Sequence, residues 1–151
     1  MRDIIDTWEI NHKINIYLLD AILESNLSDI SASKGRTVGE HFAHVHNVRL
    51  MWLKAAMPEL LTSVQKIEKE NITKELLVEQ LNKSGVAVSK MIEKALEDGK
   101  LKGFKPHPTA FLGYIISHES HHRGQIVLCL KQSGHPVDKK ILFGLWEWGM
   151  K

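Results

Sequence analysis

Three of the nine histidines, His118, His121 and His122, stand inside the run HESHHRGQI at residues 118–126. His118 and His122 are four apart, so on a helix they share a face with their Cβ atoms about 6 Å from each other. Two imidazoles at that separation can bind one metal ion, as the paired histidines of zinc-protease helices do. Such an ion takes at least one further protein ligand. A second cluster, His41, His44 and His46 in EHFAHVHNV, supplies the candidates.

Both clusters fall in segments with helical periodicity. Pro108 suits an early turn of a helix running to about Ser133, with Gly134 as its stop. At about 100° per residue, Phe111, Ile115, His118, His122, Ile126 and Cys129 form one apolar arc. His121 falls to one side and drops out as a ligand. Two histidines satisfied separately in the core are the plainer reading, but each would then need its own buried partner. In the other cluster, Thr37 and Glu40 form a capping-box pattern at the start of a helix that Pro58 ends near Met57. There His41 lies centrally in the apolar arc, His44 on its flank, and His46 points well away. Periodicity leaves His41 and His44 open as the third ligand.

Two more helices complete the chain. Residues 3–25 carry an amphipathic pattern with no Gly or Pro, and residues 73–98 carry another, with Gly85 in its middle and Gly99 as terminator. The segments 25–36 and 99–108 read as loops, and residues 59–72 as a connection with a short turn of helix. The end, VDKKILFGLWEWGMK, fits either a short helix or an extended tail. Four long helices and no strand-like alternation give an all-α fold, a four-helix bundle over one domain, 1–151.

Composition narrows the setting. With 20 basic and 18 acidic residues the formal net charge is +2, which gives no electrostatic argument for nucleic acid. No run of 18 apolar residues exists, so a membrane span is not expected. A single cysteine, Cys129, cannot form an internal disulfide, and the N-terminus lacks the apolar core of a signal peptide. A cytoplasmic location is the expectation.

The segments TVGEHFAHV (37–45) and HESHHRGQI (118–126), with VLCLKQSGHPVDKK (127–140) after them, resemble the DinB/YfiT-like family of metalloenzymes. The resemblance covers essentially the whole chain. It implies a four-helix bundle with one long crossover connection, commonly a homodimer. It also implies a metal triad of one histidine from the second helix and an i, i+4 pair from the helix bearing His-Arg-Gly-Gln. Carried over through Val-Gly-Glu-x-x-x-His, the triad is His44, His118 and His122. Nickel or zinc is the first expectation for the divalent ion, with iron, manganese and copper as other fits. His41 stands where the family usually has an aliphatic residue; it reads as a neutral packing substitute, with a polar group added near the site as the alternative.

Three neutral imidazoles leave an ion its full positive charge and an open position, as in catalytic rather than structural sites. Such an ion lowers the pKa of a bound thiol or water. The resemblance implies a small-molecule substrate and a transferase using a low-molecular-weight thiol such as bacillithiol, mycothiol or glutathione. A metal-dependent hydrolase is the second enzymatic reading, and a non-catalytic bundle whose metal supports fold or dimer is the alternative. No catalytic base is identified. Glu119 points about 100° away from His118 on the helix, Arg123 faces away from the histidine arc, and Glu147 reads as a surface carboxylate between Trp146 and Trp148.

Overall fold

A computed structural model describes residues 1–151. It contains four long helices, α1 (Arg2–Asp20), α2 (Val38–Ala56), α3 (Lys74–Asp98) and α4 (Pro108–Gln132), and a six-residue helix, α5 (Lys139–Gly144). The all-α expectation holds, and the C-terminal segment resolves in favour of a short helix. None of these helices is long and apolar enough to cross a membrane.

The helix ends follow local chemistry. Thr37 accepts from the Glu40 backbone N–H while the Glu40 carboxylate accepts from the Thr37 N–H, so the capping box closes as the sequence predicts. Thr73 caps α3, and Gly99 ends it at φ 69°, a conformation that costs glycine little. The first helix is shorter than its pattern. It stops at Asp20, and the apolar residues beyond it enter a 3-10 turn at Glu24–Ser28, where Leu27 is buried.

Two apolar clusters form the core. One joins Leu18 and Leu19 late in α1, Phe42 early in α2, Leu77 and Leu81 early in α3, and Ile126 and Leu130 late in α4. The other joins Trp8, Leu53, Met91 and Ile92, and Phe111 and Ile115, from the opposite ends of the same helices. Helices α1 and α4 therefore run one way and α2 and α3 the other. The link between α2 and α3 must return along the length of the molecule, and it does: Leu60, Leu61 and Val64 pack against the second cluster, and Ile67 belongs to the first. Hydrogen bonds from His46 to the Gln65 carbonyl (2.6 Å) and between Asn47 and Ile67 pin this crossover to α2.

The middle turn of each long helix is polar. Asn11, Asn15, His46, Arg49, Gln80, Ser84, Glu119 and His122 are all buried.

Candidate metal centre

Helices α2 and α4 run antiparallel, so early turns of α2 face late-middle turns of α4. His44 thereby meets His118 and His122, and one ring nitrogen from each of the three lies within 4.8 Å of the others. The Nε2 atoms of His44 and His118 are 3.3 Å apart. That exceeds the usual N–H···N or N–H···O range of about 2.7–3.2 Å. It matches two nitrogens bound to one tetrahedral ion at about 2.0–2.1 Å each, which sit about 3.3–3.4 Å from one another.

Electrostatics point the same way. Burial pushes His44 down to about 4, helped by the Arg36 cation and by the neighbouring histidines. Burial likewise pushes His122 down to about 3, with His118, His44 and His41 adding to the effect, and it lowers His118 as well. All three rings are neutral at pH 7 and keep a lone pair for an ion. His118 has only the His44 ring beside its Nε2, and its Nδ1 is buried with no partner. Three converging neutral imidazoles, with no carboxylate among them, fit a divalent ion held by nitrogen.

The other sequence candidates separate clearly. His121 is exposed, as its place on the helix predicts. His46 points away from the triad and is a satisfied core histidine, bonded to Ser84 (3.0 Å) and the Gln65 carbonyl. Cys129 is buried outside the triad, with burial pushing its thiol up. Glu147 is exposed and pairs with Lys151. His41 fits the polar alternative rather than the packing one: its Nδ1 lies 2.9 Å from Nδ1 of His122, and both rings are buried.

Glu119 and Arg123 face away from the triad, but not toward solvent. Glu119 is fully buried, and its oxygens accept from Arg49 Nε (2.7 Å) and Nη2 (2.9 Å), Asn11 (2.8 Å) and Asn15 (2.7 Å). Burial alone would raise its pKa, but the Arg49 guanidinium and the amide donors outweigh that and hold it low. Arg123 donates through Nη1 to the side-chain oxygens of Asn11 (2.8 Å) and Asn15 (2.7 Å), closing the network across α1. Glu119 is thus occupied on both oxygens, and the carboxylate next to His118 in sequence is not free to act as a base.

A small cleft of about 250 Å³ opens beside His44, lined by Arg36, Glu40, Asn47, Lys66 and Lys69 among others. Lys66 pairs with Glu68 and Lys69 with Glu40, whereas Arg36 has no carboxylate partner. A larger cleft of about 540 Å³ lies between α4 and the C-terminal segment, against Arg123, Trp146 and Trp148, and contains none of the three histidines. Phe111 and Tyr114, one to two turns before His118 on α4, form an edge-on aromatic cluster with Trp52 of α2 and Phe104 of the loop before α4.

No curated protein and no solved structure matches the chain. Residues 3–140 match the model of the DinB family, and on that match, with its three-histidine cluster in place, the chain belongs to the DinB family.

Proposed function

We propose that this protein is a metal-dependent enzyme in which His44, His118 and His122 hold a divalent ion, and that it transfers a low-molecular-weight thiol to an electrophilic small molecule. The observation that carries the metal reading is the convergence of three neutral imidazoles, one ring nitrogen of each within 4.8 Å of the others, with Nδ1 of His118 buried and unpartnered. The ion would serve as a Lewis acid that stabilises the thiolate form of the substrate near neutral pH. The thiol loses its S–H proton to solvent, sulfur forms a bond to the electrophilic carbon, and the leaving group departs with the electron pair of the bond that breaks.

The chain's own residues shape what can enter. Three neutral ligands leave the site's charge to the ion, which favours an anionic partner. The cleft beside His44 adds an unpaired cation in Arg36, next to two lysines that are already paired. This rim suits a thiol that carries carboxylates. The aromatic cluster before His118 offers an apolar wall for an electrophile. Hydrolysis is the less favoured chemistry: Glu119, the carboxylate nearest in sequence, is locked to Arg49 and cannot activate water.

Metal analysis of the purified protein should find close to one divalent ion per chain, and little in a His118→Ala/His122→Ala variant. Equal metal in both would remove the site. For the reaction, nickel- or zinc-loaded protein is mixed with glutathione or bacillithiol and monochlorobimane, and conjugate fluorescence is followed. A rate above the uncatalysed one, lost in the double variant, is expected. Rates equal to the uncatalysed one with every thiol, in protein that does hold its ion, would leave a metal-binding bundle without transferase activity.

A further inference from the structure

We infer that His41 is a positioning residue for the metal centre: its Nδ1 accepts the Nδ1 proton of His122 and leaves Nε2 of His122 as the nitrogen free to bind an ion. The inference rests on the metal reading above and concerns a residue outside the triad.

The two Nδ1 atoms are 2.9 Å apart, a good hydrogen-bond distance, and both rings are buried. A histidine that binds an ion must offer it a lone pair, so His122 as a ligand carries a single ring proton. Only one proton can lie between the two Nδ1 atoms. If His41 donated, His122 would carry its own proton on Nε2, and its remaining lone pair would be committed to His41. His122 would then have no lone pair for an ion. If His122 donates, Nε2 is deprotonated and available. A ligating histidine usually gives its second N–H to a carboxylate, a carbonyl or water, which fixes the tautomer and the ring orientation. Here the acceptor is an imidazole.

That choice has two consequences. A carboxylate acceptor would add negative charge beside the ion and weaken its pull on a bound thiol, whereas a neutral imidazole does not. An imidazole can also reverse its role, donating through Nδ1 when no ion is bound, so His122 stays satisfied in either state. An aliphatic side chain at position 41 could do neither, and would leave a buried Nδ1–H without an acceptor.

The geometry is set by the helices. His41 and His44 lie one turn apart on α2, as His118 and His122 do on α4, and the helices run in opposite directions. His44 therefore meets His118 (ring centroids 5.3 Å apart) and His41 meets His122 (5.2 Å). The centre is built as two facing pairs, of which three members serve as ligands and the fourth orients one of them.

The test compares zinc affinity, by competition with a chromophoric chelator, in the wild type, His41→Leu and His41→Gln. The leucine variant should bind zinc about 10- to 100-fold more weakly. The glutamine variant, whose side-chain oxygen can accept the same proton, should recover most of the loss. In zinc-loaded wild type with ¹⁵N-labelled histidine, the shared proton should give a slowly exchanging low-field resonance, with ¹⁵N–¹⁵N coupling between His122 and His41. Wild-type affinity in the leucine variant, equal weakness in both variants, or no such coupling would overturn the role of His41. If the leucine variant fails to fold, the glutamine variant and the coupling still decide. Failure of the wild type itself to bind zinc, nickel or cobalt would instead overturn the metal reading on which the inference rests.

Discussion

At the scale of single residues, the nine histidines show how one side chain is put to different uses by its surroundings. His107 caps α4, and His135 bonds Asp29 at 2.6 Å. His12 and His46 are structural: His12 accepts from Arg49 Nη1 and donates to Asn82, and His46 bridges Ser84 and the crossover. His12 depends on the neutral ring, since a proton on its Nδ1 would face a guanidinium. Burial pushes each down to about 4, with Arg49 adding to the effect. The unfolded chain holds these rings near about 6.5. Between about pH 6.5 and 4 it therefore binds protons that the folded protein refuses. Stability is full above that window and falls as pH drops through it, by about 1.4 kcal/mol per pH unit for each ring. Urea unfolding at pH 7, 6 and 5 should show this decline, and an unfolding free energy flat across the range would mean that the two rings protonate in the folded state.

At the scale of elements, the helices were legible to within a few residues where capping chemistry marks them. Thr37, Thr73, Gly99, Pro108 and Gly134 each stand at or beside the boundary they predict. The first helix ends short of its pattern: Ile22 and Leu23 continue an apolar spacing that tertiary packing overrides. The helical wheel places His41 at the centre of the apolar arc and His44 on its flank, and burial follows that order: His41 is 7% exposed and His44 is partly exposed. The residue on the flank, His44, is the one grouped with His118 and His122.

Gly85, which weakens the pattern of α3, has a reason that only packing reveals. A Cβ there would lie 2.8 Å from three atoms of the His12 ring, and the Gly85 carbonyl accepts from Trp8 Nε1 at 2.9 Å. Alanine in mid-helix gains about 1 kcal/mol in propensity. Overpacking against a ring hydrogen-bonded at both nitrogens costs about 1–3 kcal/mol. The clash should win, so Gly85→Ala should lower the midpoint of denaturant unfolding. A raised midpoint would show that α1 can shift at little cost.

At the scale of the whole molecule, the polar layer was the least legible feature. The amphipathic pattern of α4 was read as having one inward face, yet α4 packs against α1, α2 and α3, and so buries a second stripe through Leu112, Glu119 and Leu130. A charged residue on that stripe looks like a surface residue in sequence. Its partners, Arg49 at 70 positions away and Asn11 at 108, leave no local signal. The layer raises the question of whether Glu119, adjacent to His118, serves the fold or the reaction. Its contacts answer for the fold, and energetics supply the test. Removing one member of a buried ion pair strands the other, at a cost of about 3–5 kcal/mol, whereas replacing both with apolar groups is often nearly neutral. Arg49→Met and Glu119→Leu should each sharply lower the unfolding free energy, and the double variant should lose less than their sum. Here the recovery should be partial, because Asn11 and Asn15, which also accept from Arg123, lose a shared acceptor that leucine does not replace. Strict additivity in denaturant unfolding would mean that the pair does not act as a unit. A Glu119→Leu variant that kept its stability and its ion but lost turnover would return the carboxylate to catalysis.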